Sequence, residues 1–367
     1  MSSAKGIVER DSNLELYRII VMLAIVAHHY VVNSGLMEVM SQSPLSSKSL
    51  FYSIFGAWGK TGINCFVLIT GYFMCGKDLT IRKFLKLFLE VLFYNIIIWL
   101  LFFCFGYQPF SEKEFVRLFL PIQNIDTGFT SCYLAFMLLI PFLNILVRNM
   151  TRRQHFCLVV ILLFIYSVLP LLFLINVSVT CNYVSWFCVL YFVGSYLRTY
   201  PTKKDKSARF WRCSFLGVFI LGVCSVLGVI LFNQNHVKQY YPYMFISDSN
   251  QLLSFAIAVS LFMWFKNIKM KNSKVINTIS ASCFGVLLIH ANSDTMRQWL
   301  WKDVVDCAGH YDNCIYAIIC VFGVYMACTI IDIIRAKTIE KPALDWFERI
   351  CLDLKHRIVE KCSKEIR

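Results

Sequence analysis

Apolar runs of spanning length succeed one another along the chain, near 14–33, 54–75, 87–106, 129–147, 156–175, 183–200, 213–233, 249–265, 275–291 and 314–334, with short polar stretches between them. A helix needs about 20 apolar residues to cross the hydrocarbon core of a bilayer, so the pattern predicts an all-α, polytopic membrane protein of about ten transmembrane helices. Between the third and fourth runs, residues 111–120 alternate charge with Phe115, Leu118, Phe119 and Leu120 ahead of Pro121, the pattern of an amphipathic helix lying on the outer membrane surface. Pro141 predicts a kink in the fourth span. After the tenth run, Leu344, Phe347, Cys351, Leu354 and Ile358 recur at helical spacing with Lys and Arg between them. The expected organisation is therefore a membrane domain over 1–334 and a basic amphipathic tail over 335–367.

The first run, NLELYRIIVMLAIVAHHYVVN over 13–33, breaks its own apolar pattern with Glu15, Arg18, His28 and His29. Ionisable side chains inside a spanning helix are costly, roughly +2.5 to +3.5 kcal/mol for a central Arg, so they usually face a polar cavity. Arg18 and His29 are eleven residues apart. At about 100° per residue that returns to nearly the same face, ~16 Å farther along the axis. The two should line one groove at different depths, while His28 points about 100° away. Glu15, three residues before Arg18, is placed to pair with it and offset the cost of the guanidinium.

Composition supports the membrane class: 58% of the 367 residues are hydrophobic and 16% charged, against roughly 25% charged in soluble proteins. The net charge of +14 follows topology rather than nucleic-acid binding. With the N-terminus inside, cytoplasmic segments carry 28 Lys and Arg and outward segments 7, which places both termini in the cytoplasm and calls for an even number of spans. The first span is interrupted by charge and followed by others, so no cleaved signal peptide is expected. Most of the sixteen cysteines fall in apolar runs, where they behave as small hydrophobes. No CxxC and no Cys/His spacing suits a metal; Cys307 and Cys314, in or beside one outward loop, are the pair placed for a disulfide.

Further polar residues interrupt other spans. The stretch GKTGINCFVLITGYFM over 59–74 has glycines and threonines that permit close helix approach, and Asn64 in its middle either lines a cavity or ties two helices together. Lys77, Arg82, Lys83 and Lys86 crowd the loop before the third span. Lys83 and Lys86 share a face of its first turn, where cations and free backbone N–H groups can hold phosphates; the same cluster also serves as a topology signal or a lipid headgroup contact. His290 ends the ninth span on the same side of the membrane as His29, as an interfacial residue or a catalytic one.

Taken in order, NLELYRIIVMLAIVAHHY, GINCFVLITGYFM, KFLK, CYLAFMLLIPFLN, LYFVGSYLR and FGVLLIHAN resemble the integral-membrane acyltransferase family 3. These O-acyltransferases modify bacterial surface glycans, and the chain is most similar to the stand-alone polysaccharide O-acetyltransferases among them. The resemblance implies that Arg18 and His29 are the family's Arg and catalytic His. It also implies that Lys83 and Lys86 receive the coenzyme, and Arg82 beside them is a further candidate for its phosphates. Where the family usually has two arginines, Lys83 and Lys86 keep the charge but not the bidentate fork. Thr70 stands where Ser is usual, and the fourth span offers no carboxylate for the family's acidic residue.

The implied reaction moves an acetyl or other acyl group from cytoplasmic acyl-coenzyme A, a substrate rather than a resident cofactor, to a hydroxyl of a surface polysaccharide or its lipid-linked precursor. The implied location is the bacterial cytoplasmic membrane, with no nucleic acid among the partners. A sugar hydroxyl is a poor nucleophile at neutral pH, and an imidazole of pKa about 6.5 suits removal of its proton during attack on a thioester. The sequence leaves open whether His29 acts as base or as an acylated relay. A small-molecule transporter is the main rival reading, but no internal repeat or matched pair of broken helices supports it. A polysaccharide polymerase or flippase would need a large outward loop that the chain lacks.

Overall fold

Within the described residues each apolar run forms helix, and polar residues just ahead of the runs set where most of these helices begin. The computed structural model describes residues 11–122, 125, 128–171, 182–237, 239–346 and 349, among which all regular structure is helical. In chain order the helices are α1 (Ser12–Val32), α2 (Leu36–Gln42), α3 (Ser47–Phe55), α4 (Gly59–Met74), α5 (Ile81–Cys104), α6 (Glu112–Leu118), α7 (Phe129–Asn149) and α8 (Arg152–Leu163). They continue with α9 (Tyr183–Thr199), α10 (Ala208–Asn235), α11 (Leu252–Lys266), α12 (Lys274–Ala281), α13 (Cys283–His290), α14 (Asp294–Gln298) and α15 (Cys314–Arg335). Thr80, Thr151, Asn182, Ser207, Ser273 and Asn313 each accept a bond from an otherwise unpaired first-turn N–H of the helix that follows.

Among the described residues, six helices are long and apolar enough to cross a membrane: α1, α5, α7, the run Arg152–Leu171, α10 and the run Cys314–Trp346. A bent pair, Lys274–His290 followed by Asp294–Val304 at 96°, makes a seventh if it is one span. The other three apolar runs form α4, α9 and α11, of 16, 17 and 15 residues. The second run is shorter than its hydropathy suggests because the chain turns at 56–58, separating α3 from α4. The ninth run is broken at Ser282, between α12 and α13.

The short helices α4 and α9 lie inside the bundle and cross at very close range. A Cβ on Gly71 would sit 2.8 Å from the Cα of Tyr191, and one on Gly194 would sit 2.8 Å from the carbonyl oxygen of Leu68, so each glycine lets the other backbone in. The outer helices have the reverse character. On α10 and α15, Leu216, Ile220, Leu221, Ile319, Phe322 and Ile330 are exposed, far more apolar surface than a water-soluble chain leaves open. That band is what lipid covers.

At the centre stands α1, packed against α3, α4, α11, α12, α13 and α15. Tyr17, Val26, Tyr30 and Val31 on it are fully enclosed. The expected surface helix forms as α6, with no buried residue and with Phe115 against Trp99 and Phe110. The fourth run, α7, continues as helix through Pro141. The helix of α15 extends to 346; the rest of the expected tail, 347, 348 and 350–367, lies outside the described residues. Cys307 and Cys314 are both free thiols rather than a disulfide, Cys307 being wholly buried. His155, just ahead of the fifth apolar run, is buried in the first turn of α8 with Nε2 2.9 Å from the Phe192 carbonyl oxygen.

Candidate active site

The interrupted face of α1 opens onto a cavity of about 370 Å³. Arg18 and His29 both border it, as the eleven-residue phase requires. Glu15 pairs with Arg18 at 3.3 Å and accepts a bond from the Ser280 hydroxyl at 2.5 Å, which ties the first turn of α1 to α12. Across from Arg18, Thr70 of α4 and Tyr133 of α7 are joined at 2.8 Å. Because the Thr70 hydroxyl is placed to donate to the Phe66 carbonyl, the Tyr133 hydroxyl donates to Thr70. Between these polar groups the wall is apolar: Met22, Ile25, Ile63, Phe66 and Leu287. At the end nearest the start of α5, Lys86 and Glu90 complete it.

A second cavity, of about 700 Å³, continues toward the other end of α1, where Asn33, α6 and the segment after α13 form the walls. His28, His29, Lys60 and Phe129 belong to both cavities. His29 therefore stands at their junction. The larger space is richer in hydrogen-bonding groups, among them Asn95, Gln108, Arg117, Asn292 and Arg297, beside the rings of Trp99 and Tyr183. Lys60 supplies a cation at the junction, its ammonium 2.5 Å from the Tyr183 hydroxyl.

The two adjacent histidines have different partners. His28 lies over Gly59 of α4 with Nδ1 2.6 Å from the Gly56 carbonyl oxygen, so it borders the cavities with one nitrogen committed to the backbone. His29 Nδ1 is 2.9 Å from Nε2 of His290. His290 is completely buried, and lies behind His29 rather than in either cavity wall. Of the two roles open to Asn64, the structure shows the helix-tying one. Its amide donates to the Ser249 carbonyl at 2.7 Å and its oxygen accepts from the Trp186 indole at 2.8 Å, which commits both ends of the side chain to the fold.

An acyltransferase domain family model, that of acyltransferase 3, matches residues 11–332, from the start of α1 to the last turns of α15. The chain belongs to the acyltransferase 3 family. No match was found among curated proteins or solved structures. All the elements that build the junction fall inside the matched region, so this membrane acyltransferase carries its Arg18 and His29 on the wall of a cavity, with His29 where that cavity opens into the next.

The basic residues expected at the rim of the acyltransferase are held by carboxylates and backbone. Lys86 binds Glu340 at 2.6 Å, Arg82 lies 3.5 Å from Asp345, and the Lys83 ammonium is 3.5 Å from the Asp78 carbonyl oxygen. Lys86 alone of the three borders the smaller cavity. One first-turn donor of α5, the Lys83 N–H, is already taken by Thr80.

Sequence reasoning overlooks a buried ion cluster beside that rim. Arg335 contacts Asp332 at 2.9 Å, Glu90 at 3.1 Å and Glu340 at 2.8 Å, while Tyr94 donates to Asp332 at 2.8 Å. Gly285 makes the room: a Cβ there would lie 2.3 Å from the Asp332 carboxyl carbon. The available signal was Glu90 and Asp332 themselves, carboxylates within apolar runs and therefore in need of a partner.

Proposed function

We propose that this acyltransferase moves an acetyl group from cytoplasmic acetyl-coenzyme A to a hydroxyl of a cell-surface polysaccharide, or of its lipid-linked precursor, at the bacterial cytoplasmic membrane. The observation that carries the reading is the position of His29 where a smaller, more apolar cavity meets a larger, more polar one. The bias of basic residues supports a ten-span arrangement with both termini inside, which turns the Arg18 and Lys86 end of the smaller cavity toward the cytoplasm. Acetyl-coenzyme A is cytoplasmic and polyanionic. Its phosphates stay at the rim with Arg82, Lys83 and Lys86, its pantetheine arm passes the apolar wall beside Arg18, and its acetyl group reaches His29. The acceptor comes from the other side, where hydrogen-bonding side chains and aromatic rings suit a sugar.

The chemistry then needs one proton carrier. As the acceptor oxygen bonds to the thioester carbonyl carbon, its proton passes to His29; the carbon–sulfur bond breaks, and the proton leaves with the coenzyme thiolate. Lys60 sets a positive charge at the junction, where the oxyanion of the tetrahedral intermediate develops.

Donor recognition is tested at the rim. Replacing Lys83 and Lys86 together by Gln should raise the acetyl-coenzyme A concentration for half-maximal rate by roughly tenfold or more, with a smaller effect on the limiting rate. Steady-state release of coenzyme A by the purified protein measures both. An unchanged donor dependence would reduce the two lysines to a topology signal.

A further inference from the structure

His290 reaches His29 from behind, and its own environment fixes which nitrogens carry protons. Its Nδ1 lies 2.5 Å from the Val286 carbonyl oxygen, one turn earlier in α13. A carbonyl can only accept, so Nδ1 of His290 bears the hydrogen. In the neutral ring Nε2 is then an acceptor, and the atom 2.9 Å away, His29 Nδ1, must be the donor. One nitrogen of His29 remains, Nε2, with its lone pair free. The alternative, a protonated His290 donating to His29, would bury a cation that pairs with no carboxylate among the described residues. The charges that bear on this pair, Arg297 and Lys60, are themselves positive.

Resting on the reading of His29 as the base, we infer that His290 is a positioning residue that holds His29 in the tautomer whose Nε2 can take the acceptor's proton. It touches neither substrate. Its place is set by the backbone of α13, by complete burial and by an edge-on contact with the Trp301 ring. When Nε2 gains the proton, Nδ1–H of His29 keeps its acceptor, so the imidazolium is held without any movement of the ring. The device resembles a metal-free carboxylate–imidazole pair with a second neutral imidazole in the carboxylate's place. It keeps the buried end of the site uncharged before and after the reaction cycle.

The test is a set of variants assayed for acetyl transfer from acetyl-coenzyme A in membranes at matched protein level. His290→Phe keeps the ring packing on Trp301 and removes the acceptor; its limiting rate should fall by roughly 10²- to 10⁴-fold, with half-saturating donor concentration unchanged. His290→Gln can set an amide oxygen near the position of Nε2 and should recover the rate to within about tenfold of wild type. Equal losses in the Phe and Gln variants, or wild-type rate in His290→Phe, would overturn the positioning role. A His29→Ala control separates the two claims, because activity surviving that change would remove the base itself and this role with it. Should His290→Phe fail to accumulate, His290→Leu against His290→Gln gives the same comparison.

Discussion

His29→Ala is expected to lower acetyl transfer by roughly 10²- to 10⁴-fold, the span a general base contributes, while thermal stability stays near that of the wild type. Its ring borders two cavities rather than filling a core, so truncation enlarges an existing space, and water can take over the bond to His290. His28→Ala should lose much less. That ring is also at the junction, but its Nδ1 is spent on the Gly56 carbonyl and its face lies against α4. Assaying both variants in membranes at equal protein level decides the matter. Equal losses would mean that helix phase on α1 does not select the base, and near-normal activity in His29→Ala would remove the assignment.

The largest effect on stability is expected at Arg335. Its side chain is 6% exposed, and the carboxylates of Glu90 and Asp332 that it joins are 7% and 3% exposed. Arg335→Met would leave these acids, with Glu340, facing one another without their shared cation. Removing one partner from a buried pair costs about 3–5 kcal/mol, so this variant should show a large fall in thermal midpoint in detergent, or fail to accumulate. Glu90→Gln should cost far less, since Asp332 and Glu340 continue to pair with Arg335. A midpoint for Arg335→Met equal to that of wild type would show that the cluster does not hold α5 to α15.

What the sequence could reveal was periodic or local. The phase of α1 puts Arg18 and His29 on one cavity, and the three-residue spacing gives the Glu15–Arg18 pair, because both depend only on helix geometry within one element. Hydropathy locates every apolar run but not its breaks, since the turn at 56–58 and the interruption at Ser282 depend on what packs beside them. Long-range pairs are the part that periodicity cannot supply. His29 and His290 are 261 residues apart, and Glu90 meets Arg335 only because α5 and α15 are neighbours in space. Asn64 could be seen to need partners, yet only the fold decides that these are Ser249 and Trp186 rather than a ligand.

In the proposed function an acyl group given on the cytoplasmic side is handed at His29 to a glycan on the other. Sealed right-side-out membrane vesicles, loaded inside with acetyl-coenzyme A radiolabelled in its acetyl group, test it most directly. With the wild-type protein, label should appear in the glycan fraction accessible from outside the vesicles, and with His29→Ala it should stay at the level of vesicles lacking the protein. Label reaching the glycan equally in wild-type, His29→Ala and protein-free vesicles would contradict the account.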